Sequence, residues 1–184
     1  IELLKVSLKN SMEVYRTVME KQADGLVQIA TKLGDILENG GTIYLCGNGG
    51  SAADAQHVAA EFVGRFLRER RALPAQALTV NTSILTAIGN DYDFSQVFSR
   101  QVKAMVTPKD ALVGISTSGK SGNVLEAIKE AKAIGALTVA FIGFPGEAID
   151  PIYFINHTRS WRYKITTHFG QNICGRIIMM GTSI

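Results

Sequence analysis

The chain alternates between short apolar runs and segments with a helical repeat. Apolar runs of four to seven residues predict strands at 42–46, 75–80, 111–115, 137–143 and 152–155. Helical periodicity fills the intervals at 51–66, 83–88, 95–105 and 122–134. This alternation is typical of an α/β domain with a parallel sheet of about five strands and helices on both faces.

Two long amphipathic helices are predicted ahead of the first strand. Apolar residues recur at three- and four-residue steps, first at Leu4, Leu8, Met12, Tyr15 and Met19, then at Leu26, Ile29, Leu33 and Ile36. Such stripes need a surface to cover. We favour a partner subunit, although packing on the core of the same chain explains the stripes equally well. We therefore predict one domain over 1–184, with 1–40 used in oligomerisation and 41–184 forming the sheet core.

Composition narrows the class of protein. The chain has 184 residues, of which 46% are hydrophobic and 19% charged, as in a single globular domain. A net charge of +3 is small, and we interpret the basic run at 65–71 as a solvated helix end, with no nucleic-acid partner. Two cysteines make no disulfide framework, and no apolar run is long enough for a bilayer. We expect a reduced cytoplasmic location and no membrane contact.

Two loops rich in glycine and serine carry the candidate chemistry. Asn48-Gly49-Gly50-Ser51 and Ser116-Thr117-Ser118-Gly119-Lys120-Ser121 each follow a strand and open a helix. Each loop offers backbone N–H groups at the positive end of a helix, with hydroxyl groups beside them. For either loop taken alone, serines that cap helices are the favoured explanation. Because strand ends meet at one edge of a parallel sheet, the two loops together favour a sugar phosphate.

The string GISTSGKS at 114–121 also matches a nucleotide-binding P-loop. Two observations oppose that interpretation. Gly114 is predicted inside a strand, and no apolar strand ends in the aspartate that helps to hold magnesium. We expect no nucleotide.

A dinucleotide fingerprint is the other alternative, since Gly47-x-Gly49-x-x-Ala52 fits its weak pattern. That site needs an acidic residue after the next strand, where Asn81 and Thr82 stand instead.

Three segments of the chain carry a family resemblance, and they read LCGNGGSAADAQHVAAEFVGRF, TSILTAIGNDYDFSQVFSRQV and GISTSGKSGNVLEAIKEAK. They closely resemble the phosphoheptose isomerases of the sugar-isomerase (SIS) family, and the resemblance covers roughly residues 10 to 145. It implies conversion of sedoheptulose 7-phosphate into glycero-manno-heptose 7-phosphate, which feeds surface polysaccharide synthesis. It also implies a homotetramer, built through the N-terminal helices, that often contains zinc.

The resemblance assigns roles to individual residues. It makes Glu61 the catalytic base and a zinc ligand, and His57 a zinc ligand. The implied substrate contacts are Asn48, Gly49, Gly50, Ser51, Glu61, Asn90, Asp91, Ser116, Thr117, Ser118 and Ser121. The residue types suit these roles, because His57 and Glu61 share one face of a helix and a carboxylate can move a proton between adjacent carbons. An exposed helical pair is the alternative interpretation of His57 and Glu61.

The C-terminal part departs from the family pattern RIQExHxxIxH, where SWRYKITTHFGQNICG stands. Tyr163 takes the position of the family glutamine, and Gln171 takes that of the last histidine, a zinc ligand and acid in the family. Glutamine suits neither role well, and His168 is a possible substitute. Read one base earlier, codons for Arg162 to Thr167 can encode Ile-Gln-Asp-Asn-His. We therefore hypothesise that 151–167 is decoded out of frame and that the tail after 177 is also affected.

This departure leaves a second function open. The chain could be a non-catalytic SIS protein that binds a phosphosugar or a protein partner. An isomerase assay with and without zinc separates the two.

Overall fold

The computed structural model describes residues 1–66, 69–142 and 153–156. Two helices come first, α1 (Glu2–Lys21) and α2 (Ala23–Glu38). The strands are β1 (Ile43–Gly47), β2 (Ala75–Ala77), β3 (Ala111–Ser116), β4 (Leu137–Ile142) and β5 (Tyr153–Asn156). The helices between them are α3 (Gly50–Val63), α4 (Thr82–Asp91), α5 (Ser99–Met105) and α6 (Gly122–Ile134), with a 3₁₀ turn at Phe94–Gln96.

The five strands form one parallel sheet in the order β2-β1-β3-β4-β5. Gly47 pairs with Ile115 in the central β1–β3 register, so these two strands end side by side. The chain leaves β1 toward β2 and leaves β3 toward β4, in opposite directions across the sheet. The point between β1 and β3 is therefore the switch point at which open α/β sheets bind ligands.

Two apolar layers cover the sheet. Helices α2 and α3 pack on one face, with Ile29, Leu33 and Phe62 almost fully buried. Helices α5 and α6 pack on the other, around Val102, Val124 and Ile128. The predicted class, with helices on both faces of a parallel sheet of about five strands, is confirmed.

Gly114 explains how closely α6 approaches β3. A Cβ atom at this position would lie 2.8 Å from Ile128 Cδ1 and 2.9 Å from Val124 Cγ1. The residue pairs with Cys46 inside the β1–β3 ladder. Its prediction as a strand residue is confirmed, and this removes the first glycine of the apparent P-loop.

Cys46 belongs to the layer on the α6 side. It is fully buried, and burial raises the pKa of its thiol to about 12 because the thiolate loses its hydration. It is therefore a packing residue and not a nucleophile, as expected for the end of an apolar strand.

The apolar stripe of α1 is exposed in the part of the chain that the structure describes. Leu4, Leu8, Met12 and Met19 are each more than half exposed, and Tyr15 is 37% exposed. Val18, at the edge of this stripe, is buried. In the described chain, the apolar stripe of α1 therefore does not cover the core of the same subunit.

Three predicted boundaries are wrong. Helix α3 was expected to reach residue 66 but ends at Val63, and β2 was expected to reach residue 80 but ends at Ala77. The helix predicted over 95–105 is a short 3₁₀ turn followed by α5. No described helix has both the length and the low polarity needed to cross a bilayer.

Candidate functional site

The first loop turns sharply between β1 and α3. Gly49 has a φ of 56°, a conformation that favours glycine, and it is the N-cap of α3. Gly47 lies against the first turn of the helix, because a Cβ there would come within 2.8 Å of the Ser51 carbonyl oxygen. These two glycines bring the start of α3 close to the end of β1.

The second loop turns between β3 and α6. Gly119 has a φ of 64°, and its N–H donates to the Ser116 carbonyl at 3.2 Å. The hydroxyls of Ser116 and Ser121 lie 2.9 Å apart, and the Ser118 hydroxyl accepts from the Lys120 N–H. The loop is thus an ordered turn with hydroxyl groups concentrated in six residues.

Serine capping does not account for these loops. Neither α3 nor α6 has a side-chain hydrogen bond at its N-cap, even though the N-cap of α6 is Ser121. In the described part of the chain, the exposed N–H groups of Gly49, Gly50, Thr117 and Ser118 make no hydrogen bond. Free N–H groups in two adjacent loops that lead into helices suit an anion.

An amide pair joins the two loops. Asn48 Nδ2 donates to Asn123 Oδ1 at 2.8 Å, and Asn123 Nδ2 donates to Asn48 Oδ1 at 2.8 Å. Asn123 is only 3% exposed, and its Oδ1 also accepts from the Val124 N–H. Sequence reasoning missed Asn123. The signal was an asparagine two residues into the helix that the serine loop opens.

His57 and Glu61 lie together on one face of α3, as predicted. His57 Nε2 is 3.5 Å from Glu61 Oε1, with the two side chains 38% and 26% exposed. Glu61 follows Gly50 by eleven residues, which is roughly 16 Å along the helix axis. The pair is therefore well separated from the loop that opens the same helix.

The end of α3 lies at the opposite edge of the sheet from the two loops. The Leu73 N–H donates to the Phe62 carbonyl, and Leu73 comes just before β2 begins. A helix that connects parallel strands must run back along the sheet in this way. Within one chain, the structure therefore does not bring Glu61 and the loops to the same crevice.

Arg70 holds the end of α3 that carries Glu61. Its Nη2 donates to the Glu61 carbonyl at 2.8 Å, and its Nη1 donates to the carbonyls of Phe62 and Gly64. These are carbonyls that a helix end leaves without partners. The interpretation of 65–71 as a solvated helix end is wrong, because the helix stops at Val63 and Arg70 folds back onto it.

Asn90 and Asp91 end α4 on the surface of the chain. Asn90 Nδ2 donates to Asp91 Oδ1 at 2.9 Å, and both residues are exposed. The 3₁₀ turn that follows them packs on α6, and Ser95 lies next to the helix start at Gly122. This places the segment near the second loop, although no side-chain hydrogen bond or ion pair joins Asn90 or Asp91 to the described residues of that loop.

A zinc site is only partly present in the described residues. His57 and Glu61 supply an imidazole nitrogen and a carboxylate oxygen, which are common zinc donors. No group of three histidine, cysteine or acidic side chains suitable for a metal occurs in the described chain. Tyr163, His168 and Gln171 lie outside the described residues, so a third ligand stays a prediction.

The comparison with known proteins supplies the family. A model of the SIS domain matches residues 8–143. Phosphoheptose isomerase from Desulfovibrio desulfuricans is 54% identical over 146 residues, which are 79% of this chain and 70% of the relative. The chain belongs to the phosphoheptose isomerase family of SIS domains. Its predicted membership is confirmed.

Two further comparisons, one of sequence and one of structure, find similar proteins in other organisms. Phosphoheptose isomerase from Aquifex aeolicus is 49% identical over 152 residues, 83% of this chain and 80% of the relative. The structure of phosphoheptose isomerase from Neisseria gonorrhoeae superposes with a TM-score of 0.86 at 38% identity, covering 100% of this chain and 98% of that one. The SIS fold thus extends over the sheet and both N-terminal helices.

The contact between Gly47 and the first turn of α3 gives a testable prediction. Substitution Gly47→Ala places a methyl group against backbone atoms of Ser51, so α3 must shift. We expect a loss of about 1–3 kcal/mol in the free energy of unfolding, typical of overpacking, and weaker binding of inorganic phosphate. Denaturant unfolding and calorimetric titration measure the two effects.

The matched control is Gly34→Ala in α2, where an added Cβ meets nothing within 4 Å. It should leave phosphate binding unchanged and stabilise the helix by about 0.5–1 kcal/mol. Equal phosphate affinity in Gly47→Ala and the original chain would contradict a role for this loop in anion binding.

Proposed function

We propose that this SIS protein is an isomerase that converts sedoheptulose 7-phosphate into D-glycero-D-manno-heptose 7-phosphate. The reaction would serve heptose precursor synthesis for lipopolysaccharide or other surface polysaccharides in the cytoplasm. Family membership supports the activity. The observation that carries the proposal is the pair of loops with unpartnered N–H groups at the switch point between β1 and β3.

The phosphate end of the sugar suits these loops. Backbone N–H groups of Gly49, Gly50, Thr117 and Ser118 can donate to phosphate oxygens, and the starts of α3 and α6 add positive partial charge. The hydroxyls of Ser51, Ser116, Ser118 and Ser121 supply further donors around the same anion. Asn90 and Asp91 offer polar groups for sugar hydroxyls on the same side of the sheet.

Glu61 suits the proton transfer. Its carboxylate takes a proton from C1 of the ketose, which leaves an enediol, and the resulting acid returns a proton to C2. A proton moves from O1 to O2 over the same steps, so that C1 becomes the aldehyde carbon. His57, 3.5 Å from Glu61, can orient the carboxylate.

We propose that one active site combines two copies of the chain. The loops and Glu61 lie at opposite edges of the sheet in a single copy, whereas one sugar must contact both. The exposed apolar stripe of α1 provides a surface on which copies can pack. A homotetramer formed through the N-terminal helices would bring Glu61 of one copy to the loops of another.

We propose zinc as the cofactor, held by His57 and Glu61 with a third ligand from Gln171 or its neighbourhood. When bound, zinc would polarise the sugar carbonyl and stabilise negative charge on the enediol oxygens.

Glu61→Gln tests the base. The amide cannot accept a proton, so we expect loss of turnover by at least about a hundredfold, with the melting temperature nearly unchanged. Conversion of sedoheptulose 7-phosphate is followed by chromatography. Glu38→Gln, at the exposed end of α2, is the control and should retain full activity. Near-normal turnover in Glu61→Gln would remove Glu61 as the base.

The same assay separates the second function. An original chain that binds sedoheptulose 7-phosphate but does not turn it over, with or without zinc, would favour a non-catalytic SIS protein.

His57→Ala tests the metal. The variant loses one of two described donors, so bound zinc per chain should fall well below that of the original protein after gel filtration. Elemental analysis measures the zinc. Gln56→Ala, the neighbouring position on α3, is the control and should retain its zinc. Unchanged metal content in His57→Ala would refute zinc binding by this residue.

Mixing variants tests the shared site. Glu61→Gln and a loop variant, Ser118→Asp, should each be inactive, the second because its carboxylate repels phosphate. When the two are unfolded together and refolded, mixed oligomers should contain some sites with an intact loop from one copy and an intact Glu61 from another. Recovery of activity is the expected result. A mixture as inactive as its components would mean that each site belongs to one chain.

A further inference from the structure

Asn123 occupies the crevice between the two loops without a role in the proposed chemistry. It is the second residue of α6, on one face of the sheet, and its partner Asn48 leads into α3 on the other face. The two helices diverge from the switch point, because α3 returns to β2 and α6 returns to β4. The amide pair is thus a direct side-chain link between the loops across the opening where the ligand is proposed to bind.

The hydrogen bonds of Asn123 leave little freedom. Its Nδ2 and Oδ1 form the reciprocal pair with Asn48 at 2.8 Å each, and Oδ1 also accepts from the Val124 N–H at 3.0 Å. The bond to Val124 fixes the amide to the first turn of α6. The side chain is 3% exposed, so water cannot replace a lost partner without opening the structure.

We infer that Asn123 is a positioning residue for phosphate binding, which fixes the distance between the loop after β1 and the loop after β3. It acts through Asn48 and does not itself touch the sugar. A single phosphate can accept hydrogen bonds from both loops only if their N–H groups are held at matching separation. This inference rests on the proposed function and adds the residue that holds the two loops of the proposed phosphate site together.

Asn123 should affect phosphate binding more than proton transfer. Asn123 lies at the loop edge of the sheet, and Glu61 lies at the far end of α3. Loss of the amide pair should therefore weaken phosphate binding more than it changes the proton transfer. Loss of folded protein alone would instead lower the apparent kcat and leave KM unchanged.

The experiment compares Asn48→Ala, Asn123→Ala and the double variant as oligomers of the full chain. The probe is inorganic phosphate, measured as a competitive inhibitor of sedoheptulose 7-phosphate conversion. In Asn123→Ala we expect KM and the phosphate inhibition constant to rise together by about tenfold, the factor that corresponds to one hydrogen bond, with kcat within about threefold. In the double variant we expect the inhibition constant to match that of Asn48→Ala.

Asp110→Ala provides the matched control for a lost buried polar side chain. Asp110 accepts from the N–H groups of Thr42 and Thr107 at the amino edge of the sheet, away from the loops. This variant should have a lower melting temperature and an unchanged KM. Asn123→Asp adds a second test, because it keeps the acceptor for Val124 but places an oxygen against Asn48 Oδ1, and it should also raise KM.

Three outcomes would overturn the inference. The first is an unchanged phosphate inhibition constant in Asn123→Ala. The second is a double variant in which the two single effects add in full. The third is an Asp110→Ala variant whose KM rises as much as that of Asn123→Ala. If the original chain turns over no sugar phosphate, the proposed function fails instead, and direct titration with phosphate still tests the link between the loops.

Discussion

The parallel pairing of β1 and β3 is the constraint on which the site depends. Because the two strands run side by side in the same direction, the loops that follow them begin at the same edge of the sheet. Because their connections leave toward opposite faces, the starts of α3 and α6 flank one crevice. The loops turn sharply at Gly49 and Gly119, and backbone N–H groups beside these turns make no hydrogen bond in the described chain. The proposed anion site is a consequence of topology more than of any single side chain.

The same topology separates His57 and Glu61 from that crevice. A helix between parallel strands runs back along the sheet, so each added turn carries its side chains away from the helix start. His57 and Glu61 lie on the third and fourth turns of α3, and Arg70 fixes the helix end behind them. In the proposed function, a sugar phosphate held by the loops therefore needs a carboxylate from another copy of the chain. The exposed stripe of α1 is the surface proposed for that contact.

Much of the fold could be predicted because local patterns and tertiary packing agree. Helix α6 begins at Gly122 and ends at Ile134, as its apolar repeat indicates, because Gly135 adopts a left-handed conformation that stops it. Helix α3 was predicted too long, since the charged run after Gly64 continues a helical repeat that Arg70 terminates by folding back. The sequence could not show what the apolar face of α1 packs against, because an apolar stripe has the same pattern whether it covers a core or a partner subunit.

The candidate site was predictable in composition but not in arrangement. The resemblance identifies the loops and the i, i+4 pair on α3. The structure places His57 and Glu61 on one helix face, whereas Gly50 and Ser51 already belong to α3 and Ser116 ends β3. The pairing of Asn48 with Asn123 joins residues 75 positions apart, which no local pattern encodes. The separation of Glu61 from the loops follows from the direction of α3. It could have been predicted from the strand–helix–strand order, which sets that direction.

The most direct measurement is a crystal structure of the oligomer with sedoheptulose 7-phosphate bound. We expect phosphate oxygens within about 3 Å of backbone nitrogens from both loops, with C1 and C2 of the sugar facing Glu61 of another copy. A phosphate that contacts only one loop, or a sugar bound away from the switch point, would refute a site shared by the two loops and a second copy.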